Sequence, residues 1–244
     1  HPVYQAVYEN EQDAAECRLG TFVPPTLIEL ASIDELEQEI FGPVLHVVRY
    51  QRDNLATVIE QINGRGYGLT LGIHTRINET IDLITRLAHV GNIYVNRNMI
   101  GAVVGVQPFG GEGLSGTGPK AGGPLYMYRL LSTSPETPAH QLLRHPINLP
   151  EKPPLQAARE SFRLWAESKH GLHALCERLA AIWPGEQQYL LPGPTGEQNT
   201  YRWVPRARIL CLADNELDVL TQLAAVTLVG SIPVWPQEIG RASC

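Results

Sequence analysis

Cysteine and histidine are the residues here best suited by type to act as nucleophiles or metal ligands, and their spacing supports neither use. Cys17, Cys176, Cys211 and Cys244 are widely scattered, with no C-x-x-C pair and no metal-ligand spacing, so reduced thiols are expected. Cys17 stands among charged residues before Thr21-Phe22-Val23-Pro24-Pro25-Thr26, which reads as a strand, and it matches no nucleophile motif. Cys176 and Cys211 fall on apolar positions. His46, His74 and His89 each lack a second ligand at metal spacing and read as structural. Two glycine-bearing runs could by type cradle a phosphate. Gly111-Glu112-Gly113-Leu114-Ser115-Gly116 fits G-x-G-x-x-G, but that turn works by presenting a helix N-terminus to pyrophosphate, and the following Thr117 to Pro124 cannot build a helix. Pro192-Gly193-Pro194-Thr195-Gly196 lacks the Gly-Lys-Ser/Thr of a phosphate-binding loop. Three other stretches, Glu39-Ile40-Phe41-Gly42-Pro43-Val44, Gly91-Asn92-Ile93-Tyr94-Val95-Asn96 and Pro108-Phe109-Gly110-Gly111, are weak signals when taken singly.

The elements that must position these residues are of mixed period. Ser32-Ile33-Asp34-Glu35 has the form of a capping box and predicts a short helix ending near Glu39. Leu45 to Tyr50 reads as a strand, and Asp53-Asn54 can cap a helix whose stripe is Leu55, Val58, Ile59 and Ile62, stopped by Gly64 and Gly66. Leu69 to His74 is a strand; Ile77, Ile81, Ile84 and Ala88 line a helix closed by Gly91, and Asn92 to Val95 is the next strand. Strand, helix, strand, helix, strand predicts an α/β layer structure with a mostly parallel sheet and flanking helices. Met99 to Gly123 is glycine-rich and shows neither period, so irregular backbone is expected.

Residues 132–154, rich in Ser, Thr and Pro and carrying His140 and His145, read as a linker. Beyond it, Leu155, Ala158, Phe162 and Trp165 predict one helix, and Leu172, Leu175, Leu179 and Ile182 another, ended by Pro184-Gly185. A strand over Arg208 to Ala213, a helix over Glu216 to Leu228 and a strand over Ser231 to Trp235 complete a partial second α/β unit.

Composition limits the function classes. Of 244 residues, 43% are hydrophobic and 18% charged, ordinary globular usage that excludes wholesale disorder. A net charge of -6 leaves no basic field to hold a polyanion, so nucleic acid is not an expected partner of this segment. No window approaches the roughly 18 consecutive apolar residues of a membrane span, and His1-Pro2-Val3-Tyr4 is no cationic leader, so a cytoplasmic location is expected. The first residue is not Met, and the opening positions read as the middle of a domain, which predicts a piece of something longer.

The three weak stretches gain meaning from their order and spacing, in which they resemble the C-terminal half of an aldehyde dehydrogenase catalytic domain. The run from Asn96 to Pro124 narrows the resemblance to the L-glutamate γ-semialdehyde (1-pyrroline-5-carboxylate) dehydrogenase domain of the bifunctional proline utilisation A family. Leu190-Leu191-Pro192-Gly193-Pro194-Thr195-Gly196-Glu197-Gln198-Asn199-Thr200 resembles the extension that follows that domain in the longer bifunctional proteins, so the likeness runs from residue 1 to about 237.

The resemblance implies residues 1–131 as the C-terminal portion of the dehydrogenase domain, 132–154 as linker and 155–237 as a partial C-terminal α/β domain. Residues 238–244 break from the family and read as a non-native tail. It also implies a chemistry in which a cysteine thiolate attacks the aldehyde, hydride leaves for NAD and a glutamate-activated water hydrolyses the thioester. Neither of those two catalytic groups is expected in this chain, so no catalytic residue is assigned and the chain alone is expected to be inactive. Glu39 corresponds to the carboxylate that accepts from the hydroxyls of the nicotinamide-side ribose, and Phe41 to the ring beside the nicotinamide. Gly101-Ala102 corresponds to the loop whose N–H groups anchor the α-carboxylate of glutamate semialdehyde, and Phe109 to an aromatic wall of the aldehyde pocket. Without the resemblance, Glu39 would be the end of a solvated helix, Gly101-Ala102 a tight turn, and Phe41 and Phe109 core residues. The implied parent uses NAD here and FAD only in a proline-oxidising domain not present in this sequence; the rest of the parent chain and a second copy in a homo-oligomer are its expected partners. A non-catalytic oligomerisation or active-site-cover module, a pseudoenzyme, and a dehydrogenase for a different acid semialdehyde remain open.

Overall fold

The computed structural model describes residues 2–7, 9–133, 146–148, 153–169, 171–182 and 187–236, and the chain divides into two compact units, His1–Ala102 with Phe109–Ala121 and Val103–Pro108 with Gly122–Cys244. Most of the 132–154 stretch, with His140 and His145, lies outside the described residues, as do Pro184-Gly185 and the 238–244 tail with Cys244.

The first unit is α/β. Strand β1 (Pro2–Gln5), helix α1 (Glu11–Cys17), strand β2 (Thr26–Leu30) and strand β3 (Val44–Val48) form its first part, with β1 antiparallel and β3 parallel to β2. Asn10 starts α1, its side chain accepting the Asp13 N–H at 2.8 Å. The expected strand at Thr21 to Thr26 begins only at Thr26, because Pro24 and Pro25 have no N–H to give a ladder. The capping box forms, Glu35 Oε1 accepting the Ser32 N–H at 3.1 Å, but the helix expected to reach Glu39 is a single 3₁₀ turn, Ile33–Glu35. Leu36 turns to extended backbone, and Arg65 captures it there: its guanidinium donates to the Leu36 carbonyl at 3.3 Å and pairs with Asp34 at 3.1 Å.

Helix α2 (Leu55–Gly64) follows a 3₁₀ turn, Arg52–Asn54, and buries Ile59 on the expected stripe. Strand β4 (Tyr67–Gly68), strand β5 (Thr70–Ile73), helix α3 (Asn78–Leu87) and strand β6 (Asn92–Val95) complete the run, with β5 and β6 parallel. The expected succession of strand and helix is present, distributed over more than one small sheet: β3 pairs with β2, and β5 with β6. Two asparagines tie the ends. Asn63 donates to the Leu87 carbonyl and accepts the His89 N–H, both at 2.8 Å, clasping α2 to the end of α3. Asn96, at φ 55, exchanges two hydrogen bonds with the Thr75 backbone and so sets the exit from β6. Met99 to Gly123 is irregular as expected, apart from strand β7 (Glu112–Gly113) paired with β4 and a lone bridge between Phe109 and Ala121.

In the second unit, strand β8 (Pro146–Asn148), helix α4 (Pro153–Glu167), helix α5 (Leu172–Ile182), strand β9 (Gln187–Leu191), strand β10 (Asn199–Trp203), strand β11 (Arg208–Leu210), helix α6 (Glu216–Leu228) and strand β12 (Ile232–Val234) follow one another. Strand β9 lies antiparallel between β8 and β10, and β11 is parallel to β12. Ala166, Leu172, Cys176, Ala224 and Leu228 make one core, and Tyr189, Tyr201 and Trp203, with Leu125 against them, make another. On α4 the expected inward stripe holds at Phe162, which packs against the first core, but Ala166 takes the inward place expected of Trp165. Ala166 is fully buried while Trp165 is 41% exposed, its ring tilted against Phe162 and beneath Lys169. No helix of the described residues is long and apolar enough to cross a membrane.

Because Ala166 is sealed among Leu172, Cys176, Ala224 and Leu228, Ala166→Leu should overpack that core and cost about 2 kcal/mol in urea unfolding. A loss below about 0.5 kcal/mol would show that α4 does not present this face.

Candidate functional site

All five residues singled out in the sequence belong to the first unit. Glu39 and Phe41 sit on the irregular stretch between the 3₁₀ turn and β3, carried out of regular structure by the Leu36 kink. Glu39 is exposed and makes no ion pair or hydrogen bond among the described residues, which leaves both carboxylate oxygens open as acceptors. Phe41 is 88% exposed, so it is not the core residue that its type alone would suggest.

Gly101 and Ala102 follow the Asn96 turn on the glycine-rich loop. Gly101 has φ +83, and a Cβ there would meet nothing within 4 Å, so the peptide is both left-handed and open to approach. Its N–H, however, donates to the Met99 carbonyl at 3.1 Å. Of the two consecutive donors expected here, one is therefore engaged inside the loop, and the Ala102 N–H is the one without a partner among the described residues. Phe109 is half-buried, its backbone exchanging two 2.9 Å hydrogen bonds with Ala121. Two open clefts are defined: one of about 520 Å³ includes Ser32, Arg49, Asn54 and Gln61 in its lining, and one of about 300 Å³ includes Gly105, Gln107, Gly123 and Pro192. Neither is lined by Glu39, Phe41, Gly101, Ala102 or Phe109.

What holds the loop is a residue the sequence reading passed over. Lys120 Nζ donates to the Gly110 carbonyl at 2.8 Å, to Asn92 Oδ1 at 3.2 Å and to the Gly91 carbonyl. It thus joins the start of β6 to Gly110, the residue after Phe109. Burial lowers the Lys120 pKa, and the nearby Glu112 carboxylate opposes that shift. The approach is possible because a Cβ at Gly91 would overlap the Gly110 carbonyl oxygen. Gly111 to Gly116 likewise serves close backbone packing: Gly113 lies in the β4–β7 pair, and the Gly116 N–H closes onto the Gly113 carbonyl at 3.0 Å. No helix follows it, as expected from its composition. The signal available in the sequence was a single cation within a glycine-rich run.

Cys176 and Cys211 are 1% and 2% exposed, and burial raises the Cys176 pKa, with Glu177 adding to the rise and Arg163 opposing it. Cys17 ends α1, whose last turn carries no basic residue. Among the described residues no group of three or more His, Cys, Asp or Glu could hold a metal ion.

Removing the Lys120 ammonium takes its donor from the Gly91 and Gly110 carbonyls, while Asn92 Oδ1 keeps the Gly110 N–H, so Lys120→Met should lower stability by about 2 kcal/mol and loosen Phe109. Thermal melts together with proteolysis of residues 101–123 would check this; a wild-type melt with unchanged protection contradicts it.

Comparison with known proteins agrees with this architecture. The model of the aldehyde dehydrogenase family matches residues 3–134. The bifunctional protein PutA of Escherichia coli (strain K12) is 59% identical over 242 residues, which cover 97% of this chain and 18% of that protein. The 1-pyrroline-5-carboxylate dehydrogenase 1 of Halalkalibacterium halodurans is 44% identical over 112 residues, 44% of this chain and 21% of that one. Among solved structures, proline utilization A (PutA) from Corynebacterium freiburgense aligns with a TM-score of 0.63 at 25% identity, covering 87% of this chain and 21% of that chain. The chain thus spans about a fifth of the length of these relatives. An α/β first unit whose irregular glycine-rich segment falls inside a family match covering more than half the residues leads to one conclusion: the chain belongs to the aldehyde dehydrogenase family.

Proposed function

We propose that this chain forms the C-terminal part of the dehydrogenase domain of a bifunctional proline-oxidising protein, and that its role there is to grip NAD and L-glutamate γ-semialdehyde during oxidation to glutamate. The observation that carries the reading is the extent of the likeness. Relatives named as the bifunctional protein match 89% to 97% of the chain, including the second unit, whereas those named only as 1-pyrroline-5-carboxylate dehydrogenases match 44% of it.

The chemistry of the residues fits a nicotinamide nucleotide. An exposed carboxylate without a cation partner can accept from both hydroxyls of a ribose, and an exposed ring two residues on offers a flat apolar surface. Glu39 would hold the ribose, and Phe41 would limit where the nicotinamide can lie and keep water from it. NAD, when bound, supplies the acceptor for the hydride that leaves the substrate carbon. On the substrate side, Gly101 contributes a backbone with no side chain in the way, and the Ala102 N–H is the donor to the α-carboxylate. Phe109 walls the aliphatic part of the substrate, held in place by the Ala121 bridge and by Lys120 at the next residue. The thiolate that attacks the aldehyde comes from outside these residues; Cys176 and Cys211 are buried and Cys17 matches no nucleophile motif.

The test is NADH formation by the intact gene product on glutamate semialdehyde and on propanal: a strong preference for the semialdehyde supports the reading, and equal use of both removes it. Glu39→Gln should lower kcat/KM for NAD about tenfold, the effect of roughly 1.4 kcal/mol, and unchanged NAD kinetics would remove Glu39 from the site. Gly101→Val forces a branched residue to φ +83, where L side chains are strained, so it should displace the loop and raise KM for the semialdehyde, with a loss of melting temperature limited to that loop's strain. An equal loss on propanal would point to general distortion.

A further inference from the structure

Two consecutive residues of the glycine-rich run, Phe109 and Gly110, have all four of their backbone polar groups engaged. Phe109 exchanges both of its own with Ala121, each at 2.9 Å. Gly110 gives its N–H to Asn92 Oδ1 at 3.1 Å, and its carbonyl accepts from Lys120 Nζ at 2.8 Å. Asn92 Oδ1 also accepts from Lys120 Nζ, at 3.2 Å. These partners set the orientation of the Asn92 amide, because an N–H and an ammonium are both donors and only the oxygen can meet them. Asn92, Lys120 and Gly110 thus close a ring of hydrogen bonds whose shared acceptor is a side-chain oxygen of β6.

The ring is tied to regular structure. Asn92 opens β6 opposite Thr70 of β5, and its N–H donates to the Leu69 carbonyl at 3.1 Å. Close packing leaves the run little room to shift against this frame. A Cβ on Gly91 would overlap the Gly110 carbonyl oxygen, and one on Gly110 would press on Lys120, 3.2 Å from its Cα. The backbone at Gly101 is held differently: its N–H bonds within its own loop, to the Met99 carbonyl, and a Cβ there would meet nothing within 4 Å. The first unit therefore carries a fixed backbone at the aromatic candidate and an open one at the carboxylate candidate.

We propose that Asn92 is a positioning residue for Phe109, and that the ring it closes makes the aromatic wall a fixed stop against which the aliphatic length of the acidic aldehyde is measured. The inference rests on the reading of Phe109 as a wall of the aldehyde pocket. It deepens that reading by naming what is selected: the number of methylenes between the acid end and the aldehyde carbon. A ring carried on backbone free to shift would make room for one more methylene. A ring carried on four engaged polar groups pushes back, and a packed wall of that kind discriminates against an added methylene by roughly ten- to two-hundredfold. Asn92 touches neither substrate nor cofactor in this account; its oxygen acts through the Gly110 N–H and the Lys120 ammonium.

The intact gene product is assayed on glutamate semialdehyde and on α-aminoadipate δ-semialdehyde, which keeps the same acid end and adds one methylene. In Asn92→Leu, which keeps the side chain's size and removes the shared acceptor, the ratio of kcat/KM for the shorter aldehyde to that for the longer should fall about fivefold. KM for NAD should stay unchanged, and hydrogen exchange at the Gly110 amide should speed up. Asn92→Asp, which keeps an oxygen toward both donors, should hold the wild-type ratio. Lys120→Met, which frees the Gly110 carbonyl, should move the ratio in the direction of Asn92→Leu and decides the matter if that variant does not fold. A wild-type ratio in Asn92→Leu or Lys120→Met overturns the inference, as does an equal loss on the two aldehydes or an Asn92→Asp that behaves as Asn92→Leu. Phe109→Ala separates these results from failure of the underlying reading. A ratio that Phe109→Ala leaves unchanged removes Phe109 from the pocket and this inference with it; a ratio that Phe109→Ala moves and Asn92→Leu does not keeps the wall and removes Asn92.

Discussion

A single ammonium group drawn in among carbonyl oxygens governs the first unit's irregular half. Lys120 reaches Gly91, Asn92 and Gly110 together because glycines let the two backbones approach closely. Burial works against the charge and lowers its pKa, and the hydrogen bonds to Gly91, Asn92 and Gly110 offset that cost. The consequence is that a segment without helix or strand period still has a defined path, and Phe109 is placed by its own two hydrogen bonds to Ala121 and by the held Gly110 beside it.

The proposed chemistry asks for this kind of backbone. A carboxylate is best met by N–H groups, and N–H groups face outward only where neither a helix nor a sheet has used them. The loop after Asn96 satisfies that condition at Ala102 while spending the Gly101 N–H on its own turn. At the opposite end of the unit, the Leu36 kink has a similar effect: by ending a helix one turn in, Arg65 leaves Glu39 and Phe41 on exposed, irregular chain instead of committing them to a helical face. Long-range contacts to backbone carbonyls thus set the surroundings of both groups of candidate residues.

Local pattern foretold the elements whose signal is local. The stripe around Ile59, the strand Asn92–Val95 and the helix Glu216–Leu228 occur where periodicity put them. Capping chemistry identified the start at Ser32, yet the stop depended on Arg65, 29 residues from Leu36, and no window of sequence reports that. The hairpin of β9 and β10 was not read because its strands open on Gln187 and Asn199 and its turn was considered only as a possible phosphate loop. Trp165 was assigned inward by hydrophobicity, but small Ala166 is what fits between packed helices, while the large ring finds Phe162 and Lys169 at the surface. Lys120 had no local signature because it acts on backbone far along the chain. The candidate residues Glu39, Phe41, Gly101, Ala102 and Phe109 came from resemblance, and the structure adds which of their groups are free to act.

The central claim is that the loop after β6 is a prearranged receptor for a carboxylate. Amide hydrogen exchange across residues 99–107 of the intact gene product, followed with and without saturating L-glutamate, tests it most directly. Slowed exchange centred on Ala102, with Lys120 and its acceptors unmoved, is the predicted result; exchange in that loop indifferent to glutamate would contradict the account.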